Sequence, residues 1–325
     1  MTYDIVTVGE ILVDILTERT GQSLGTPGVL LGPYPSGAPA IAVDQAALMG
    51  AKTAIIAKIG KDDFGRLNKE RLSADGVDIS HIVETDGNST GVAFVTYFPD
   101  GERQFIFHFE KAACGELGPE DVKESVVAQS RYLHLMGCSV TGSPTMAAAI
   151  LRAVRLARDN GVKISFDPNI RPELLRGAVM DHYRTILDAC EILLTGRKEL
   201  EALFGGPAED AVRTLLEQKE RIVVTKDGAR GACAFTRSEA LRIAACPAVE
   251  ADPTGAGDSF DGAFLAMLCE GHGVRTAMRY GTAAGALAVS KRGPMEGNTG
   301  REGVEAFMAK VGSMELLDIP NPWRA

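Results

Sequence analysis

Short apolar runs alternate along the chain with stretches in which apolar side chains recur at helical spacing. Tyr3–Val8, Thr53–Ile59, Tyr132–Met136, Val162–Phe166, Ile192–Leu194 and Ile222–Thr225 read as buried strands. Between them, Pro39–Met49, Phe64–Ala74, Pro144–Asp159, His182–Cys190 and Asp210–Gln218 read as helices. This alternation predicts an α/β fold, a parallel sheet with helices on both faces. Two segments break it. Gly91–Pro99 and Arg103–Phe109 are β-rich runs joined by Pro99-Asp100-Gly101-Glu102, whose Asp-Gly pair is a hairpin signal. Ile11–Ser36 is punctuated by glycine and proline without a helical period, and loops this long in a compact domain are usually functional. No linker, repeat or low-complexity tract divides the chain. The expectation is one domain over residues 1–325, with a small β lid formed by about residues 11–36 and 90–112.

The segment Asp252-Pro253-Thr254-Gly255-Ala256-Gly257-Asp258-Ser259-Phe260-Asp261-Gly262-Ala263-Phe264 joins a turn to a helix. Phe260, Ala263, Phe264, Met267 and Leu268 follow one apolar helical face, and Gly271 is a C-terminal stop. The Gly-Ala-Gly turn therefore falls at a helix N-terminus, with Asp258 in the first turn. Unpaired N–H groups and the positive end of the helix dipole suit that place to a phosphate or another developing anion. A carboxylate beside it can take the proton of an attacking hydroxyl. An ordinary capped helix has the same local pattern, so the turn alone leaves both readings open.

Composition narrows the classes. Apolar residues make up 45% and charged residues 24%, as in ordinary soluble globules. A net charge of −9 without a basic run argues against nucleic acid and anionic membrane as partners. Six cysteines without a C-x-x-C pair and five histidines without metal spacing point to reduced thiols in a cytosolic enzyme. No run of roughly 18 apolar residues occurs, and Met1-Thr2-Tyr3-Asp4 leads straight into a strand, so the expected location is cytoplasmic. Gly50-Ala51-Lys52-Thr53 looks like the end of a P-loop but lacks the earlier glycine that motif requires.

The run from Asp252 resembles the C-terminal signature of the PfkB (ribokinase-like) carbohydrate kinases, Asp-Thr-x-Gly-Ala-Gly-Asp-x-Phe, with Pro253-Thr254 in the variable pair. The resemblance covers most of the chain. Gly9-Glu10-Ile11-Leu12-Val13-Asp14 resembles the family's first strand with its substrate-binding aspartate, and Ser36-Gly37-Ala38-Pro39-Ala40 its Gly-Gly-Ala-Pro-Ala element. Lys58–Gly65 matches Gly-x-Asp-x-Phe-Gly, and Asp167–Pro172 resembles Asp-x-Asn-x-Arg. The implied fold is a three-layer ribokinase-like one, a mostly parallel sheet between helices with a β lid. The implied reaction is transfer of the γ-phosphoryl group of ATP to a sugar hydroxyl with Mg2+, in K+-activated members with K+ as well, by a homodimer joined through the lid.

Carried over by resemblance, Asp258 is the general base, and Gly255, Ala256 and Gly257 supply the N–H groups for the phosphoryl. Asp14, at the end of the first strand, Gly37 and Arg171 fall at the sugar, although Arg171 fits a local salt bridge equally well. Asn169, Lys226 and Gly228 fall at the nucleotide; Glu199 orders water around Mg2+; Asp252 is a candidate for the K+ site. Asp261, one turn on from Asp258, is read as structural or solvent-facing. Ala283–Ser290 is alanine-rich, suiting a wall of the adenine pocket or plain helix packing.

The chain also departs from the pattern. Ile41 stands where the family often has Asn, Gly196 replaces an Asn, and Asp227 an apolar residue. In the lid, Phe109 is near the place of an arginine and Lys111 is the nearest cation, so no lid arginine is expected for a substrate carboxylate. The expected acceptor is accordingly a neutral ketohexose such as fructose or tagatose, with 2-keto-3-deoxygluconate as the alternative. A catalytically silent sugar-binding protein is the alternative from a different class.

Overall fold

The computed structural model describes residues 1–98, 103–170 and 179–324. Arg171 and the Pro99-Asp100-Gly101-Glu102 turn lie outside them. The strands in chain order are β1 (Tyr3–Val8), β2 (Leu12–Thr17), β3 (Leu30–Ser36), β4 (Thr53–Gly60), β5 (Ile82–Thr85), β6 (Gly91–Tyr97), β7 (Arg103–His108), β8 (Ser130–Met136), β9 (Lys163–Asp167), β10 (Ile192–Gly196), β11 (Ile222–Lys226), β12 (Ala232–Phe235), β13 (Ala240–Ile243) and β14 (Leu316–Asp318). The helices are α1 (Ala38–Leu48), α2 (Asp63–Ala74), α3 (Glu124–Val127), α4 (Gly137–Val140), α5 (Pro144–Asp159), α6 (Val179–Ala189), α7 (Arg197–Phe204), α8 (Ala208–Gln218), α9 (Ala256–Cys269), α10 (Val274–Ala288) and α11 (Arg301–Val311).

Among the described residues the large sheet runs β14-β13-β12-β11-β10-β9-β8-β1-β4-β5. From β11 to β5 every pairing is parallel, and β12 to β14 add an antiparallel edge. Its strands lack polar alternation because both faces are covered. Val6, Val8, Ile56, Leu133 and Val223 pack toward α5, α6 and α8. Ile5, Ile55, Tyr132, Leu194 and Val224 pack toward α1, α9 and α10. This is the three-layer ribokinase-like architecture.

The second sheet, β3-β2-β6-β7, corrects one expectation. Asp14 does not end the first strand. The chain leaves β1 at Val8, crosses at Gly9–Ile11 and enters β2, so Asp14 belongs to the small sheet. Ile11–Ser36 is thus not loop throughout: β2 and β3 pair antiparallel, with a register shift between Asp14 and Leu16. Gly37 follows with φ of 113°, and a Cβ there would stand 2.5 Å from the Glu10 carbonyl oxygen, so the turn into α1 needs glycine.

Helix α9 is buried nearly all round, against α1 on one side and α10 on the other. Its sequence shows one apolar face, but Ser259, Asp261 and Gly262 are enclosed too, the polar ones by hydrogen bonding. No described helix is long and apolar enough to cross a membrane.

Candidate active site

The C-terminal ends of β9, β10 and β11 meet the N-terminus of α9, where open parallel sheets bind ligands. Gly255 caps α9 in the left-handed region at φ 81°, and a Cβ there would collide with the Pro294 carbonyl oxygen. Close packing therefore keeps the turn bare, and the first N–H groups of α9 open toward a cavity. Asp258 stands in the first turn, buried.

A ring of polar contacts fixes Asp258. Asn169 Nδ2 donates to Asp258 Oδ1 at 2.8 Å. Asn169 itself is held at φ 40° by its N–H donating to Asp167 Oδ1 at 2.9 Å. Lys226 Nζ donates to Asp167 Oδ2 at 2.8 Å and to Asp261 Oδ1 at 2.8 Å. Burial opposes the charge on Lys226, but Asp167 and Asp261 outweigh it and hold its pKa above the usual value. Burial pushes the Asp261 carboxyl well up despite Lys226. Two acids thus share one ammonium group.

These contacts bear on three of the residues singled out in the sequence. Asn169 lines the nucleotide-sized cavity and gives an amide N–H to Asp258. Lys226 also borders that cavity, with its ammonium bound to two carboxylates. Asp261 is itself fully enclosed and accepts from the part-buried Lys226, which makes it structural.

Two cavities meet at Asp258. The larger, about 490 Å3, is bordered by Gly255, Ala256, Gly257, Glu199 and Gly228. Thr282, Gly285, Ala286 and Val289 of the α10 segment also border it, so the alanine-rich stretch does form a wall. Ala283 and Ala284 turn instead into the core. The Asn169 amide oxygen and the Thr282 hydroxyl are buried without a hydrogen-bond partner. Glu199 is a backbone clamp: Oε2 accepts from Gly196 N–H and Oε1 from Ile170 N–H, both at 2.7 Å. Gly196, which interrupts the expected Asn-x-x-Glu pattern, is thereby the N-cap that Glu199 completes.

The smaller cavity, about 50 Å3, lies under the small sheet. Asp14, Gly37, Ile41, Phe107 and Phe109 line it, together with Glu10, Thr254 and Asp258. Glu10 accepts from Ser139 Oγ, and from Cys138 Sγ at 3.3 Å. Burial pushes its carboxyl up to about 6; the two hydrogen bonds pull the other way and the Asp258 charge adds to the rise. A carboxyl raised on folding stabilises the fold fully below about pH 4.5, and that contribution is lost as pH rises through about 6. Between those limits it amounts to about 2 kcal/mol. Glu10→Gln is therefore expected to flatten the fall in unfolding free energy from pH 4.5 to 7, as read from urea melts across that range. An unchanged slope would remove Glu10 from this role.

Asp252, put forward for a monovalent cation, ties the site to the small sheet. Tyr97 OH donates to Oδ2 at 2.9 Å, Gly293 N–H to Oδ2 at 3.0 Å, and Thr254 N–H to Oδ1 at 2.9 Å. Lys111 is exposed and lines neither cavity.

The pfkB family carbohydrate kinase model matches residues 3–300. The chain belongs to the pfkB family of carbohydrate kinases. Among its relatives, 5-dehydro-2-deoxygluconokinase of Halalkalibacterium halodurans is 29% identical over 95% of both chains. A protein of Arabidopsis thaliana named as fructokinase-5 is 30% identical over 89% of this chain and 92% of its own. A solved E. coli structure described as ribokinase II in complex with ATP and Mg2+ is 40% identical, with a TM-score of 0.88 over 95% of this chain and 99% of its own.

For this pfkB kinase, sequence reasoning brought Asp258, its glycine turn, Asn169, Glu199, Lys226 and Gly228 to one cavity, and Asp14 and Gly37 to the other. It missed Glu10, Thr254 and Arg103. The signal for Arg103 was the period of β7: Arg103, Phe105 and Phe107 share the less exposed face, while Gln104, Ile106 and His108 point out. Arg103 is thus an inward-facing arginine of the small sheet, bordering the larger cavity.

Proposed function

We propose that this kinase transfers the γ-phosphoryl group of ATP to a terminal hydroxyl of a small neutral sugar, a ketohexose such as fructose or tagatose. The observation that carries the reading is that Asp258, in the first turn of α9, borders both cavities. The larger cavity has the size of a nucleotide-class site, and a structural relative is solved with ATP and Mg2+. In this reading the small sheet is a lid over the sugar.

Asp14 accepts hydroxyl groups of the sugar. Asp258 takes the proton of the terminal hydroxyl as its oxygen attacks the γ-phosphorus. The N–H groups at the start of α9 hold the phosphoryl oxygens, aided by the helix dipole. Bound Mg2+ supplies charge neutralisation between the phosphates. In this reading Glu199, at the edge of the larger cavity, would hold a water of the bound Mg2+. Six cysteines without disulfides suit a cytoplasmic enzyme.

The smaller cavity supports a neutral acceptor. Glu10, Asp14 and Asp258 line it, and no Lys, Arg or His among the described residues does. An anionic sugar would enter against carboxylates, a cost that grows where water is excluded. A relative named 5-dehydro-2-deoxygluconokinase favours the opposite reading, and one named as a fructokinase favours a neutral hexose. The test is sugar-dependent ADP release from Mg-ATP across fructose, tagatose, 2-keto-3-deoxygluconate and 5-dehydro-2-deoxygluconate. A neutral ketohexose is expected to give the highest kcat/KM by at least about tenfold. Preference for either acid would replace this substrate class.

A further inference from the structure

Glu10 lies in the crossing from β1 to β2, only 2% exposed, and lines the smaller cavity. Its neighbour Gly9 lets the crossing press against α4. A Cβ at Gly9 would stand 2.5 Å from Ser139 Oγ and 2.7 Å from Pro39 Cγ. The Glu10 carboxylate is thereby brought to α4, where it accepts from Ser139 Oγ, and from Cys138 Sγ at 3.3 Å. The two oxygens of a carboxylate carry about four acceptor sites, so two protein donors leave roughly half of them for a ligand in the cavity.

The charge is the part that packing does not explain. The titratable groups that face Glu10 are Asp14 from β2, Asp258 from α9, Cys138 from α4 and Cys114 from the turn Ala113–Glu116. All of them are acids, and no Lys, Arg or His among the described residues lines this cavity. Burial and the Asp258 charge both oppose the Glu10 carboxylate. A glutamine would accept from Ser139 without that opposition. What a carboxylate adds is stronger acceptance of O–H donors, and a sugar is a carrier of O–H donors.

We propose that Glu10 is a sugar-binding residue, a second carboxylate that accepts hydroxyls of the phosphoryl acceptor alongside Asp14. This deepens the kinase reading above and rests on it. Glu10 sets specificity and leaves proton transfer to Asp258. An acceptor that brings a deoxy carbon or a carboxylate to this wall leaves buried charge unmet, so the residue selects a polyhydroxy acceptor. Sugar O–H groups favour the ionised form, so binding draws the raised carboxyl back down and releases a proton. Sugar affinity is therefore greatest above about pH 6 and falls as pH drops through that value.

The test titrates the full-length wild type calorimetrically with fructose and with tagatose between about pH 5 and about pH 8, beside Glu10→Gln and Ser139→Ala. ADP-release kinetics with the tighter-binding sugar give KM and kcat. The wild type is expected to bind about tenfold more tightly at the upper pH. Glu10→Gln removes the opposed charge and keeps an acceptor for Ser139, so it folds; its sugar KM should rise about 10–100-fold with kcat within about threefold, and the pH dependence should vanish. Ser139→Ala keeps the carboxylate, so the pH dependence should remain, with its midpoint moved up because a bond that favours the ionised form is gone. A purely structural Glu10 would instead give two variants that weaken binding alike at every pH. A Glu10→Gln variant with wild-type KM, or with the wild-type pH dependence, overturns the proposal. A fall in kcat at unchanged KM does so too, and assigns Glu10 to the basicity of Asp258. Wild-type sugar binding that ignores pH sinks this proposal alone, whereas a wild type that binds neither ketohexose overturns the acceptor reading along with it.

Discussion

Asp258→Asn is expected to lower kcat by about 10²–10⁴ while Mg-ATP binding stays within a fewfold of the wild type. The substitution is nearly isosteric. An amide oxygen at position 258 can still accept the 2.8 Å hydrogen bond from Asn169, and the bare turn at Gly255 is untouched. What is lost is a group able to take the proton of the acceptor hydroxyl. The effect should therefore fall on kcat, with sugar KM little changed. Coupled ADP-release kinetics and calorimetric titration of Mg-ATP separate the two. Wild-type turnover in the variant would take Asp258 out of the reaction.

Lys226→Met is expected to cost about 3–5 kcal/mol of stability at pH 7.5, the penalty for leaving buried charge without its partner. Lys226 lies between Asp167 and Asp261, and both carboxylates are almost wholly buried. Without the ammonium, two like charges face each other out of water, and protonating one of them relieves the repulsion. The deficit should therefore shrink as pH falls toward 5, since burial already favours a proton on Asp261. Urea denaturation at both pH values measures this. A variant within about 1 kcal/mol of wild type at pH 7.5 would mean the triad contributes little. The variant should also lose activity, because Asp167 holds Asn169, which holds Asp258.

The large sheet was legible because each strand of its centre feeds two helical layers, which removes polar alternation and leaves a plain apolar run, as in Ile222–Lys226. Its antiparallel edge was not. Ala232–Phe235, Ala240–Ile243 and Leu316–Asp318 are too short to show a period and are specified by their neighbours. Residues 11–36 hid two strands because glycine and proline interrupt β3, and β2 is specified by pairing with β6, far along the chain.

At the site, the glycine turn and Asp258 were legible because a helix N-terminus has a local signature. Partnership was not. Nothing local to Lys226 says that its ammonium reaches Asp167 and Asp261, and nothing near Glu199 says that it binds the Ile170 N–H. Glu10 was visible only as part of a motif; its burial beside Ser139 and Cys138 comes from α4, more than a hundred residues away. Arg103 was readable from alternation in β7, but an arginine was sought after the aromatic run and it stands before it.

The most direct test of the central claim is product analysis. Wild-type enzyme and Asp258→Asn are incubated with Mg-ATP and fructose or tagatose, and ADP and sugar monophosphate are quantified together by mass spectrometry. The account predicts that the wild type forms ADP and a sugar phosphorylated on a terminal hydroxyl in equal amounts, and that the variant forms either at no more than about one hundredth of that rate. Binding of sugar and ATP without a phosphorylated product, with the variant behaving as the wild type does, would contradict it and leave a sugar-binding protein on a kinase fold.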